Sequence, residues 1–245
     1  MKKLTAWMIA AGALMAGCCP PSVNYPYTPS VMQKRSVLQG NLLQLLPEAQ
    51  RALPAAAEEA RWISDTAYKA SAGISRVNGS CLPGWFGNAL VNIHLQDRGL
   101  CWQYQHDLFR ELRRRHLEYF RLGCCVRDYA RPSEHNCVYV CAKGAEWPDA
   151  WILDAWKWNG RLTEYSASEV SPKRWVDIPA VCHTLEKMYP ECHAQPIEHW
   201  GILRDKDSEY ALYWESDMPQ SRQYQTMLKN IEQGKKDHPG SLINY

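Results

Sequence analysis

The sequence has no apolar run long enough to cross a bilayer as a helix: the uncharged stretch Leu4–Met15 is too short, and no longer one follows. It also lacks charge of one sign. Lys and Arg number 28 against 26 Asp and Glu, a net charge of +2 with both signs dispersed, so there is no basic footprint for nucleic acid. The one dense basic run, Arg110 to Arg115, contains Glu111 and Leu112 and reads as the solvated face of a helix. No internal repeat occurs, and no Cys-x2-Cys pair gives standard zinc spacing.

The N-terminus carries the first positive signal. Met1-Lys2-Lys3 is a short cationic start, and the apolar stretch after it has the length of a signal-peptide core. It ends Leu14-Met15-Ala16-Gly17-Cys18, which resembles a lipoprotein signal-peptidase box, with small residues directly before the cysteine. The expectation is therefore an export signal over 1–17 and lipid attachment at Cys18, which anchors the chain to a membrane. The alternative is an ordinary signal cleaved near Gly17 with Cys18 unmodified. Cys19 rather than Asp follows, which by resemblance to Gram-negative sorting favours the outer membrane, on its periplasmic or surface face. The Pro-, Tyr- and Ser-rich segment 18–30 reads as an extended tether.

Residues 31–72 carry helical patterning through Val37, Leu38, Leu42, Leu45 and Leu46, broken at Pro47 and Pro54, and predict two helices covering a core. The stretch from Gly79 to Gly84 reads as a turn, and Phe86–Gln96 as a helix ending near Gly99. Cys101 opens a further helix through Leu108, Leu112 and Leu117. The pattern then changes to strands at 119–126, 136–142, 150–154 and 162–165, separated by turns at Gly144, Pro148 and Asn159-Gly160. Helices followed by strands predict an α+β fold with an antiparallel sheet. The last third is rich in aromatics, including Trp175, Trp200, Tyr213 and Trp214, without a readable motif.

Gly99-Leu100-Cys101-Trp102 puts a cysteine at a helix start. Unpaired N–H groups and the positive end of the helix dipole there stabilise a thiolate and hold an oxyanion. A nucleophilic thiol needs a base, and the base an orienter. Glu134-His135-Asn136 heads one strand and Ile152-Leu153-Asp154 closes the next, so a hairpin between them brings His135 and Asp154 to the same sheet end.

On Gly99-x-Cys101-Trp102, His135 and Asp154, in that order, the chain resembles the transglutaminase-like superfamily of papain-fold cysteine enzymes. The likeness spans residues 86 to 162, including Asn88-Ala89-Leu90-Val91-Asn92 and Leu153-Asp154-Ala155-Trp156. The resemblance implies a papain-like core in which a catalytic helix packs on the antiparallel sheet. It implies a domain over 31–180 with its core at 86–165, and an extension over 181–245 packed on it. Cys101 is then the nucleophile, His135 the general base and acid, and Asp154 the orienter of the imidazole. The Cys101 N–H and an upstream donor, Asn88 or Trp85, would hold the oxyanion. The implied reaction is acyl transfer or hydrolysis at an amide of an envelope protein or cell-wall peptide, with no cofactor and no metal. The other reading is a non-catalytic envelope scaffold that keeps the same fold.

Ten cysteines suit an exported chain. With Cys18 and Cys101 set aside, Cys19, Cys81, Cys124, Cys125, Cys137, Cys141, Cys182 and Cys192 can all pair; Cys182 with Cys192 is a plausible local bridge. Cys137 and Cys141 share one strand face and are too far apart to bond each other. A metal site built from Cys182-His183 with Cys192-His193, or from Cys124, Cys125, Cys137 and Cys141, is the rival reading. Cys101 paired with Cys81, with His135 merely structural, is the rival to catalysis. His106, one turn beyond Cys101, is expected on the exposed helix surface.

Overall fold

The computed structural model describes residues 20–78, 84, 99–129, 133–170 and 175–191. The signal, Cys18, residues 79–83 of the expected turn, the helix expected over 86–96, Trp85, Asn88 and everything after 191 lie outside them; Gly84, the last residue of that expected turn, is helical. The chain is α+β: helices α1 (Pro29–Leu45), a one-turn α2 (Glu48–Arg51), α3 (Pro54–Asn78) and α4 (Cys101–Leu112) precede strands β1 (Phe120–Arg127), β2 (His135–Ala142), β3 (Ala150–Asp154), β4 (Thr163–Ser166) and β5 (Trp175–Asp177), and α5 (Pro179–Met188) closes the set. Among the described residues no helix is long and apolar enough to cross a membrane.

Proline sets the boundaries of the first helices. Pro29 and Pro54 open α1 and α3, where a missing N–H costs nothing, and Pro47 follows the end of α1. α1 buries Val31, Leu38 and Leu42; α3 answers with Ala56, Ala60, Ile63, Ala67 and Ile74, small residues at helical spacing that let the two backbones approach. The segment Tyr25–Tyr27 is a 3-10 turn and not part of an extended tether. Pro26 is buried, and its carbonyl accepts a hydrogen bond from Arg35, which also pairs with Asp65.

α4 is buried along its whole length except at Trp102. It stops at Leu112, short of the expected Leu117. Three consecutive arginines follow: Arg113 pairs with Glu186 and Glu191 and Arg115 with Glu58, all off the helix, while Arg114 pairs back to Glu111 of α4 itself. Leaving the helix also drops Leu117 into the core. The basic run is thus not one solvated face, since Arg110 is buried with its guanidinium 5.5 Å from the Tyr189 ring. His106 is likewise buried, against Tyr189, rather than exposed.

The five strands form one antiparallel sheet in the order β4-β3-β2-β1-β5. β2 is central and buried at every residue, as a strand covered on both faces must be. Alternation divides it: Val138, Val140 and Ala142 join the helix-side core, while Cys137, Tyr139 and Cys141 join a second cluster with Cys125, Ile152 and Trp175. Gly123 makes room for the Tyr139 ring, where a Cβ would stand 2.0 Å from a ring carbon.

The same alternation corrects the cysteine expectations. Cys101, Cys124, Cys125, Cys137, Cys141 and Cys182 are free thiols; the expected partner Cys192 lies outside the described residues. Cys124 faces the helices and Cys125 the opposite side, so the four strand cysteines do not converge on a metal. On the helix side Cys182 Sγ donates to the Leu122 carbonyl at 3.5 Å and lies near the Cys124 thiol between β1 and α5.

Glu164 of β4 accepts a hydrogen bond from the Tyr68 hydroxyl at 3.4 Å, and its Oε2 is buried with no partner among the described residues. Burial pushes its carboxyl up to about 7, whereas an unfolded chain releases that proton near 4.5. The folded state therefore binds the proton more tightly: its stability is fullest below pH 4.5 and declines as pH rises to 7. Glu164→Gln is expected to remove this slope and to stabilise the chain at pH 8 by on the order of 1 kcal/mol after allowance for solvent screening. Urea midpoints at pH 5 and pH 8 check it; equal slopes in the two proteins contradict it.

Candidate functional site

The N-terminus of α4 meets the head of β2 and the end of β3. Gly99 precedes the helix at φ 145°, a conformation that a side chain resists, and this lets Leu100 turn the chain into the first helical residue, Cys101. The Gln103 side chain reaches back to accept from the N–H groups of Gly99 (2.7 Å) and Leu100 (2.9 Å), half of a capping box. Farther along the helix, Gln105 Nε2 donates to the carbonyls of Cys137 (2.7 Å) and Cys125 (3.3 Å), pinning α4 to the sheet.

The register pairs Val138 with Leu153, so the next position sets Asp154 opposite Cys137 and diagonal to His135 on one face. His135 Nε2 lies 2.8 Å from Asp154 Oδ2. The other carboxylate oxygen accepts from the N–H groups of Trp156 (3.1 Å) and Lys157 (3.0 Å), which fixes the carboxylate plane. The Cys101 thiol lies near enough to the imidazole to act on its charge, while its own hydrogen bonds run to the Glu134 carbonyl at 4.0 Å and from Asn136 Nδ2 at 3.7 Å. With Nε2 committed to Asp154, the nitrogen left for the thiol is Nδ1, buried and unbonded among the described residues. Cys101, His135 and Asp154 are 6%, 2% and 1% exposed, so the array is nearly dry.

Burial alone would push His135 down, but the adjacent Asp154 carboxylate and the Cys101 thiol outweigh it and raise the imidazole to about 9. Burial likewise works against the Asp154 carboxylate, and the His135 charge together with the backbone donors brings it below the ordinary range. The two shifts agree: His135 and Asp154 form an ion pair at neutral pH.

The structure thus brings together all three residues of the expected triad. Asn88 and Trp85, the two oxyanion candidates, lie outside the described residues. Several contributors went unassigned in the sequence. Trp156 stacks on His135 at 4.7 Å between ring centres, and its indole N–H donates to the Gly99 carbonyl at 2.9 Å, tying the Asp154 turn to the Cys101 turn. Gly84 packs against that indole so closely that a Cβ would meet it at 2.4 Å. Asn136 aims its amide at Cys101 Sγ, 3.7 Å away. Trp175 presents an edge to His135 at 5.8 Å, from a short strand with no signature in the sequence. Cys137 was legible, two residues beyond His135 and so on the same strand face; its Sγ lies 3.3 Å from Nε2. His135, Cys137 and Asp154 also form the one group of three potential metal donors among the described residues.

Comparison with protein-family models, with curated proteins and with solved structures gives no match.

Proposed function

We propose that this chain is a lipid-anchored, transglutaminase-like cysteine enzyme of papain-like fold, catalysing acyl transfer or hydrolysis at an amide of an envelope protein or peptide. The observation that carries the reading is one imidazole held by a buried carboxylate on Nε2 while a thiol from a helix N-terminus lies near the same ring. A structural histidine has no need of both partners.

In the first half-reaction the Cys101 sulfur attacks the amide carbon and the carbonyl electron pair moves to oxygen. The oxyanion lies at the helix start, within reach of the Cys101 N–H; Asn136 Nδ2 is a further donor on that side. The His135 imidazolium gives its proton to the leaving nitrogen as the C–N bond breaks, leaving a thioester and a neutral imidazole. Water or an amine then attacks, His135 takes its proton, and the C–S bond breaks to return the thiolate. Asp154 keeps the ring aligned throughout. The acid step needs His135 protonated, so acyl transfer is expected to fall as pH rises through about 9.

The test is alkylation of the full chain by iodoacetamide at graded pH, with sites mapped by mass spectrometry. Cys101 is expected to react first, well ahead of the wholly buried Cys124, Cys125 and Cys141, and faster than a simple thiol at pH 7. A disulfide at Cys101, or a rate no greater than that of a free thiol, overturns the reading.

A further inference from the structure

The triad chemistry leaves Cys137 without a task, although its sulfur stands against the catalytic ring. We infer that His135 Nε2, Cys137 Sγ and the Asp154 carboxylate form a binding site for Zn2+ or a cation of similar softness, and that the bound ion switches the triad off. The binding stands on geometry alone; the switching rests on the function proposed above.

The three donor atoms lie within 4.8 Å of one another, with Nε2 to Oδ2 at 2.8 Å and Nε2 to Sγ at 3.3 Å. The edges of a tetrahedral zinc site with nitrogen, oxygen and sulfur ligands are about 3.3–3.6 Å. To admit the ion the shortest edge opens by about half an ångström, and the longest, up to 4.8 Å, closes by about 1 Å. Donor chemistry suits zinc: one imidazole, one thiolate and one carboxylate are borderline-to-soft ligands, and three protein ligands leave a fourth position for water.

Charge balance favours the same ion. A buried site tolerates little net charge. Zn2+ with one thiolate, one carboxylate and one neutral imidazole sums to zero. The ion takes Nε2 and Sγ free of protons, so any proton on either leaves as it binds. Once Nε2 binds the metal, the remaining ring proton sits on Nδ1. A neutral imidazole in that tautomer accepts no proton from Cys101, and Asp154 no longer orients it.

This arrangement differs from simple capture of zinc by the nucleophile, because Cys101 is not a ligand. The experiment uses the full chain, reduced and freed of metal, titrated with Co2+ while the thiolate-to-cobalt charge-transfer band is recorded, and with Zn2+ by calorimetry in two buffers of different ionisation enthalpy. Wild type is expected to bind one ion with the charge-transfer band and with release of protons. Cys137→Ala and Cys137→Ser should each weaken Zn2+ by at least about 100-fold and lose that band, more than the loss from a merely supporting residue. Circular dichroism checks that both variants fold. Cys101→Ser should bind as wild type does. If it instead loses the ion, or if folded Cys137 variants keep it, the site is overturned. Alkylation of Cys101 in the metal-free protein reports separately on the catalytic reading: slow alkylation with intact metal binding removes the enzyme and leaves the site. Zn2+ should also slow Cys101 alkylation in wild type and not in Cys137→Ala.

Discussion

If Cys101 performs the acyl transfer proposed above, Asp154→Asn should slow it by about 10^4-fold, the loss expected when a buried orienting carboxylate is exchanged for an amide. The reason lies in the partition of the His135 ring. Asp154 Oδ2 accepts from Nε2 at 2.8 Å, and its charge is what overcomes burial and lifts the imidazole to about 9. An amide has no charge to offer. It can also turn its NH2 group toward Nε2, which moves the ring proton to Nδ1 and sets it against the thiol. Iodoacetamide alkylation of Cys101 at pH 7 should fall by about 10^2-fold, the lower range for loss of a positioned base. Alkylation unchanged from wild type would remove Asp154 from the mechanism.

The same substitution has a stability signature that a purely local effect on the thiol lacks. The lowered Asp154 carboxyl contributes stability that is present above its ordinary value of 3.8 and lost as pH falls through its folded value. The raised His135 contributes stability that is full below its ordinary 6.5 and lost as pH rises through about 9. The wild-type advantage is thus widest between those two ordinary values, about pH 4 to 6.5, and above about 9 the His135 part of it is gone. Breaking one side of a buried pair costs about 3–5 kcal/mol, and the imidazole limits the loss by shedding its proton, which places Asp154→Asn near the lower figure at pH 6. Urea unfolding at pH 6 and at pH 9.5 measures the difference.

Glu59→Ala unfolds more of the chain's margin than any surface change. Glu59 is 3% exposed on α3, and its two carboxylate oxygens accept from three successive N–H groups at the start of β1: Glu118 at 2.8 Å, Tyr119 at 3.0 Å and Phe120 at 2.9 Å. Alanine removes the acceptor from all three, but Glu118 is exposed and Tyr119 half-buried, so water can replace part of the loss and only the Phe120 donor is left buried. The loss is therefore about 2–3 kcal/mol. Glu59→Gln keeps one acceptor oxygen for Tyr119 and Phe120 and should cost about 1–2 kcal/mol. A lower urea midpoint at unchanged slope, in that order of severity, is the expected result. Equal losses in the two variants would mean that packing rather than the hydrogen bonds matters.

These two residues mark different depths of legibility. Asp154 was readable because strand ends and turns leave local signatures: Gly144 and Pro148 mark the hairpin, and period-two alternation then fixes which side chains share a face. The same alternation puts Cys137 beside His135, although cysteine counting drew attention to pairing instead. Glu59 was invisible. In sequence it is one of two adjacent glutamates in an Ala-rich helix, and only the arrival of residues 118–120 distinguishes it from its exposed neighbour Glu58. Arg110 and His106 were misjudged for a related reason. A helix reads as amphipathic when one face meets water, but α4 lies between other helices and the sheet, so its polar residues had to be buried too.

The sequence by itself determined the elements and their chemistry: proline-bounded helices, a cysteine on a helix start after a glycine that only a side-chain-free backbone suits, and a histidine and an aspartate on facing strand ends. Those are short-range properties, set by dihedral preference and by hydrophobic period. The tertiary structure alone decided what they touch. It set the carboxylate on Nε2 of His135 with the Cys101 thiol nearby, brought Trp156 and Trp175 around the imidazole, and buried all three groups. Pairing across the sheet and burial depend on segments far apart in the chain, and no local pattern encodes the dielectric that raises one group and lowers its partner.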